Sequence, residues 1–244
     1  MAQTVPRRDE AVLVHSSDLH IDDRAGGRAG GTAGLAAVLA YAREVGADAL
    51  ILAGDSFDSH MIGAAAVEHA GRLLAESTVP VVLLPGNHDP VAADSVYRRG
   101  GYEAIAGLAI LGVTHERAVL LAGGRLEIWG NAHRDYRDMA PLDDPRPRTT
   151  RWQVAVGHGH YEPPETFANP LRPSWLISDA AIAATGADYV ALGHWDRAAQ
   201  VGDGSVAAYY SGAPAWVGTA NLIRLGASGE VVVTRETLKL PATA

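Results

Sequence analysis

The sequence predicts an α/β fold, α+β by strict class, with two packed mixed sheets and helices outside them. Three observations predict it. Short apolar runs rich in Val, Leu, Ile and Ala stop at Gly, Pro or Asp, as buried strands do. Helical spacing of apolar positions separates these runs in the first half of the chain. The second half turns to one strand after another. With 244 residues, 48% of them hydrophobic, the chain can bury a layered core, and a single domain over 1–244 is expected.

In chain order, the first apolar run is 11–15, followed by a Gly- and Arg-rich stretch at 24–34 that reads as an irregular loop. Helical spacing covers 35–45 and 64–76, and strands are expected at 49–53 and 79–84, giving β-α-β-α-β. Two strands follow at 118–121 and 126–129. The segment 131–151 carries Pro141, Pro145 and Pro147, which interrupt regular structure, together with Arg134, Arg137, Arg146, Arg148 and Arg151. It is read as an excursion, either a solvated loop or a rim over the substrate. Further strands are expected at 153–156, 189–192, 206–210, 222–225 and 231–238, the last two joined through 226–229 as a hairpin.

Five of these runs end in residues that bind metals. They lead into Ser17-Asp18-Leu19-His20, Gly54-Asp55-Ser56-Phe57-Asp58, Gly86-Asn87-His88-Asp89, Gly157-His158-Gly159-His160 and Gly193-His194-Trp195-Asp196. In an open α/β sheet the loops leaving the carboxyl ends of strands converge, so clusters placed there meet in space. Asp, Asn and His supply oxygen and imidazole donors suited to Mn²⁺, Fe, Mg²⁺ or Zn²⁺, and a central carboxylate can bridge two ions. A lone Asp after a strand is more often a turn former or helix cap. Capping accounts for neither the histidines nor the repeated order. His15, His60, His69, His115 and His133 have no such context and are expected to be ordinary core or surface residues.

At these residues the chain resembles the calcineurin-like metallophosphoesterase superfamily, whose pattern is Asp-x-His, Gly-Asp-x-x-Asp, Gly-Asn-His-Asp/Glu, a His after a strand, and Gly-His-x-His. Asp188 to His194, with Tyr210-Ser211-Gly212-Ala213-Pro214 beyond, is similar to the branch that contains bacterial DNA-repair exonuclease subunits. The resemblance implies a four-layer α-β-β-α sandwich and two divalent ions, with Mn²⁺ expected. It assigns Asp18 and His20 to the first ion, Asp55 to the bridge, and Asn87, His158 and His194 to the second. His88 falls on the family's catalytic histidine and Asp58 on the carboxylate that orients it. In the third loop His158 is the expected ligand, with His160 the alternative and otherwise a substrate contact. Asp196 stands where the family has a second histidine; as a ligand of the first ion it would favour harder cations.

The activity implied is hydrolysis of a phosphate ester, most simply a diester, by attack of hydroxide on a dinuclear centre. The alternatives are a DNA-end exonuclease, a small-molecule phosphomonoesterase, and an inactive scaffold, against which the intact Asn87 and His88 count. The substrate could be a nucleotide or a nucleic-acid end. The net charge of −8 argues against broad affinity for DNA, which depends on neutralising many phosphates. No apolar run is long enough to span a membrane. The absence of cysteine excludes disulfides and thiolate ligands and agrees with a cytoplasmic protein.

Overall fold

The computed structural model describes residues 9–22, 31–163 and 174–240. The first half runs β1 (Ala11–Ser16), α1 (Ala33–Glu44), β2 (Ala49–Ala53), α2 (Ala64–Ala75), β3 (Val81–Leu84), α3 (Val96–Arg99) and β4 (Leu108–Ile110). Then come β5 (Ala118–Leu121), β6 (Leu126–Gly130), β7 (Trp152–His158), β8 (His160–Tyr161), β9 (Leu176–Ile177), α4 (Asp179–Ala184) and β10 (Tyr189–Gly193). The chain closes with β11 (Ala199–Val201), β12 (Ala207–Tyr210), α5 (Pro214–Val217), β13 (Thr219–Leu225) and β14 (Val231–Thr237).

Two six-stranded mixed sheets result, in the orders β14-β13-β1-β2-β3-β4 and β11-β12-β10-β7-β6-β5. In the first, β1 to β4 are parallel and the β13–β14 hairpin adds on antiparallel. In the second, β12, β10, β7 and β6 are parallel, flanked by antiparallel β11 and β5.

Strands buried on both faces read as unbroken apolar runs, and the side-chain alternation then sorts each residue to a layer. Val12, Val14, Leu50 and Leu52 face the helices, packing with Leu35, Val38, Val67 and Leu74. Leu13, Ile51, Val82 and Leu84 face the other way, meeting Ile128, Val154, Val156 and Tyr189 between the sheets. The outer face of the second sheet, with Trp129, Val190 and Leu192, is covered by Ile182 of α4 and by Leu142 and Ile177. Four layers are therefore present, the last a thin one: a single six-residue helix helped by the 131–151 excursion.

The structure departs from the expected elements at β7 and adds several short ones. Strand β7 extends through His158, which pairs with Gly193, so the histidine closes a strand instead of sitting in the loop beyond it. Gly157 permits this, because Leu142 packs directly over it. The three-residue strands β4 and β11 are too short to leave a period in the sequence. Residues 24–30 of the Gly- and Arg-rich stretch lie outside the described residues.

Candidate metal centre

The carboxyl ends of β1, β2, β3, β7 and β10 come together over the seam between the sheets. Two of the loops leaving them are laced by main-chain bonds: Asp18 N–H donates to Gly54 O (3.0 Å), His20 N–H to Asp55 O (3.1 Å) and Ile21 N–H to Ser56 O (3.0 Å). This lacing holds Asp18, His20 and Asp55 in left-handed backbone, at φ 52°, 44° and 49°, and His194 stands at φ 105°. Such conformations cost about 1–3 kcal/mol each in non-glycine residues and persist where the surroundings over-determine them.

Asp55 lies at the middle. It is almost fully buried, its Oδ1 accepts from His88 N–H (2.9 Å), and its Oδ2 is 3.1 Å from His158 Nε2. Asn87 Oδ1 is 3.0 Å from the same Nε2 and 3.2 Å from His194 Nδ1. On the other side of its ring, His158 Nδ1 faces the carbonyl of Ala53 at 2.9 Å. A carbonyl can only accept, so Nδ1–H donates to it and Nε2 is the ring nitrogen turned to the centre. His158 Nε2, Asp55 Oδ2, Asn87 Oδ1 and His194 Nδ1 thus converge, two oxygens and two imidazole nitrogens that all serve as ligand atoms once the rings are neutral. A cation is what such a donor set accommodates.

A second group adjoins it. Asp18, His20 and Asp55 place ligand atoms within 4.8 Å of one another, as do His20, Asp58 and His88, and as do Asp55, His158 and His194. Asp55 belongs to two of these groups. His20 Nδ1 is buried without a hydrogen-bond partner, 3.5 Å from Asp58 Oδ1, a donor atom left for an ion to satisfy. The residues present fit divalent cations.

The electrostatics follow from burial around charge. Burial pushes the Asp18 carboxyl up to about 6, against the opposing pull of His158. Burial works against ionisation of Asp55 too, yet the imidazoles of His158 and His88 hold it well below the usual carboxylate range. For His158 burial opposes the charged form, and Asp55 outweighs it, raising this histidine to about 9. His88 is likewise raised against burial by Asp55 and by its bond to Asp58. His194 is lowered to about 4 by burial and then by the charge of His158.

The expected residues fall into two sets. Asp18, His20, Asp55, Asp58, Asn87, His88, His158 and His194 are brought together as described. The orienting contact on His88 differs from expectation: its Nδ1–H donates to the main-chain carbonyl of Asp58 (2.8 Å), because the Asp58 carboxylate is directed to His20. Asp196 is exposed and outside the three groups, but it lines one cleft of about 160 Å³ with Asp18, His20 and Asp58. His160 stands on the far side of His194, where its Nδ1 accepts from Trp195 Nε1–H (3.1 Å), at an open depression shared with Arg197.

Two supporting residues, His133 and Trp175, escaped the sequence reading. His133, expected to be ordinary, is fully buried against the centre, its Nε2 2.8 Å from His158 O. Trp175 walls His194 and His133, with ring centroids 5.9 and 5.2 Å away. Asp89, the last residue of its motif, braces the loops from behind. It accepts from Gly86 N–H (2.7 Å), Phe57 N–H (3.0 Å) and the Tyr97 hydroxyl (2.6 Å), tying the Asp55 loop to the Asn87 loop. Of the arginines at 131–151, Arg146 pairs with buried Glu127 and Arg148 with Asp188, which gives both a structural task.

Residues 11–197 match the model of the calcineurin-like phosphoesterase family. Among solved structures the chain is similar to TT1561 of Thermus thermophilus, with a TM-score of 0.58 and 14% identity over 92% of this chain and 98% of that one. A second solved chain gives a TM-score of 0.59 at 14% identity, covering 94% of this chain and 100% of its own. At that identity the likeness is one of fold. No curated protein matches the chain by sequence.

Proposed function

Because the chain belongs to the calcineurin-like phosphoesterase family, whose members are hydrolases acting on phosphate esters, we propose that it hydrolyses a phosphodiester at a dinuclear metal centre. The observation that carries this reading is the position of Asp55, a buried carboxylate common to two groups of metal-binding side chains. In it, Asp18, His20, Asp55 and Asp196 hold the first ion, and Asp55, Asn87, His158 and His194 the second. When bound, two such ions supply activated water and neutralise phosphoryl oxygens.

The remaining work falls to the chain itself. His88 is half-exposed beside His20, and against burial Asp55 and the bond to Asp58 raise its pKa, which favours the protonated ring. Nδ1–H is committed to the Asp58 carbonyl, which leaves Nε2–H to protonate the departing alkoxide. An ester with an unactivated leaving group, here taken as a diester, is the kind of substrate that needs such a donor. His160 contacts the substrate from the far side of His194. Mn²⁺ is the expected metal, since three carboxylates among the ligands favour a hard cation. A cytoplasmic setting, consistent with the lack of cysteine, belongs to the same reading. No helix among the described residues is long and apolar enough to cross a membrane.

The test combines metal analysis with hydrolysis. Protein dialysed against Mn²⁺ is expected to hold about two ions per chain, to hydrolyse bis(p-nitrophenyl) phosphate faster than p-nitrophenyl phosphate, and to lose both ions and activity to a chelator. One ion per chain would overturn the dinuclear centre. A preference for the monoester would overturn the diester.

A further inference from the structure

The cleft that holds Asp18, His20, Asp58 and Asp196 is lined besides by Leu19 and by Ala215 and Trp216 of α5, which have no metal-binding chemistry. Trp216 is 59% exposed. An isolated apolar side chain on a surface needs no explanation. This one lines the same small cavity as the candidate ligands of the first ion.

Its position is also fixed. Ala213 N–H donates to Asp196 O (3.0 Å), which fastens the start of α5 to the loop carrying His194 and Asp196. Pro214 begins the helix, and Trp216 N–H and Val217 N–H both return to Ala213 O, at 2.9 and 3.0 Å. Pro214 also packs against Gly34 at the start of α1. The main chain below the indole is thus held at a set distance from the phosphoryl site, while the ring itself stays in solvent. An aromatic face presented this way is a stacking platform, tolerant of ring identity because every planar ring offers a π-face.

We infer that Trp216 stacks on a planar aromatic ring of the substrate, so that the cleft selects phosphate esters carrying a nucleobase or another aryl group next to the scissile phosphate. This rests on the phosphoesterase reading above and adds a substrate class to it. No neighbouring carboxylate is needed for it, and Asp196 serves the first ion in the same cleft.

The experiment measures binding by calorimetry to the Mn²⁺-loaded protein. Adenosine 5′-monophosphate is compared with ribose 5-phosphate, and phenyl phosphate with methyl phosphate, each pair differing by its ring. The aromatic member of at least one pair is expected to bind about ten-fold tighter, within the range of one base–aromatic stack. That ratio is expected to fall to about one in Trp216→Ala and to be largely kept in Trp216→Phe. A preference confined to the nucleotide pair marks a nucleobase site; one confined to the phenyl pair marks a simpler aryl ester. Ratios near one in the unaltered protein, or a ratio that survives Trp216→Ala, would overturn the inference. Mn²⁺-dependent hydrolysis of bis(p-nitrophenyl) phosphate is followed in parallel: its absence breaks the phosphoesterase reading, and its presence beside flat ratios breaks only the stacking.

Discussion

Asp89 joins two loops of the candidate centre without touching a candidate ligand position itself, which makes Asp89→Asn a clean perturbation. Its Oδ2 accepts from Phe57 N–H and the Tyr97 hydroxyl, and its Oδ1 from Gly86 N–H. An amide has one acceptor oxygen. If that oxygen serves Phe57 and Tyr97, the new NH₂ faces Gly86 N–H; if flipped, it faces Phe57 N–H while the hydroxyl turns to accept. Either way one buried main-chain donor loses its partner, at about 1–3 kcal/mol. The surviving bonds also lose the charge that strengthened them. Against this, burial and the nearby Asp55 raise the Asp89 pKa, so removing the charge returns part of the cost. The net expectation is a loss of about 1–3 kcal/mol, which for a chain of this size lowers Tm by roughly 3–10 °C. Asp89→Ala leaves both main-chain donors unpaired and should be worse. Thermal and urea unfolding in chelator measure this free of metal linkage, and Mn²⁺ titration should reveal weaker binding in both variants. An Asn variant within about 0.5 kcal/mol of the unaltered protein, on the order expected for an ordinary surface change, would refute the account of how these loops are held.

Two further outcomes are expected. His15 is fully buried beside the Tyr189 hydroxyl (2.9 Å), and burial lowers its pKa from 6.5 to about 3 despite an opposing bond to the Leu192 main chain. The unfolded chain therefore takes up a proton that the folded chain refuses, so stability contributed by His15 is complete above pH 6.5 and falls as pH drops towards 3, by up to about 1.4 kcal/mol per pH unit. His15→Gln should flatten that limb of the urea-unfolding stability curve; an unchanged slope would locate the acid sensitivity elsewhere. Asp196→Ala should lower Mn²⁺ affinity and activity together, and Asp196→His should keep the site assembled while shifting preference towards Zn²⁺, because imidazole is the softer donor. Unchanged stoichiometry and affinity in the Ala variant would remove Asp196 from the centre.

Much of this was legible because parallel strands buried on both faces leave unbroken apolar runs. The run at β2 was read to its residue, and β1 and β10 to within one. The ligand motifs were legible because each follows such a run. What was not legible comes from contacts distant in sequence. Nothing near His133 announces that its Nε2 will meet His158 O, 25 residues on, and nothing near Trp175 announces His194. The contact between Asp58 and His88 was legible by residue and not by atom: a motif names the residue, but only the loop's path decides whether its carbonyl or its carboxylate meets His88. Arg146 and Arg148 left a solvated loop and a substrate rim both open, because their partners, Glu127 and Asp188, lie elsewhere in the chain.

Two of the motif glycines, Gly54 and Gly193, have a common physical cause. Ala53 O ends β2 in the first sheet and accepts from His158 Nδ1–H, which ends β7 in the second. For that bond to form, the two sheets must approach at their strand ends more closely than side chains allow. A Cβ on Gly54 would lie 2.0 Å from His158 Nδ1, and one on Gly193 would lie 1.8 Å from Ala53 O. Gly54 also holds φ at 90°, outside what other residues adopt at small cost. Each glycine therefore clears the space in which the residue after it, Asp55 or His194, turns over the seam. The left-handed backbone at both of those residues is a product of the same crowding, since a chain leaving a strand this close to the opposite sheet cannot continue extended. Sheet packing in this way stores the strain that keeps the donor atoms convergent before any ion arrives, and preorganisation of that kind favours tight and geometrically selective binding.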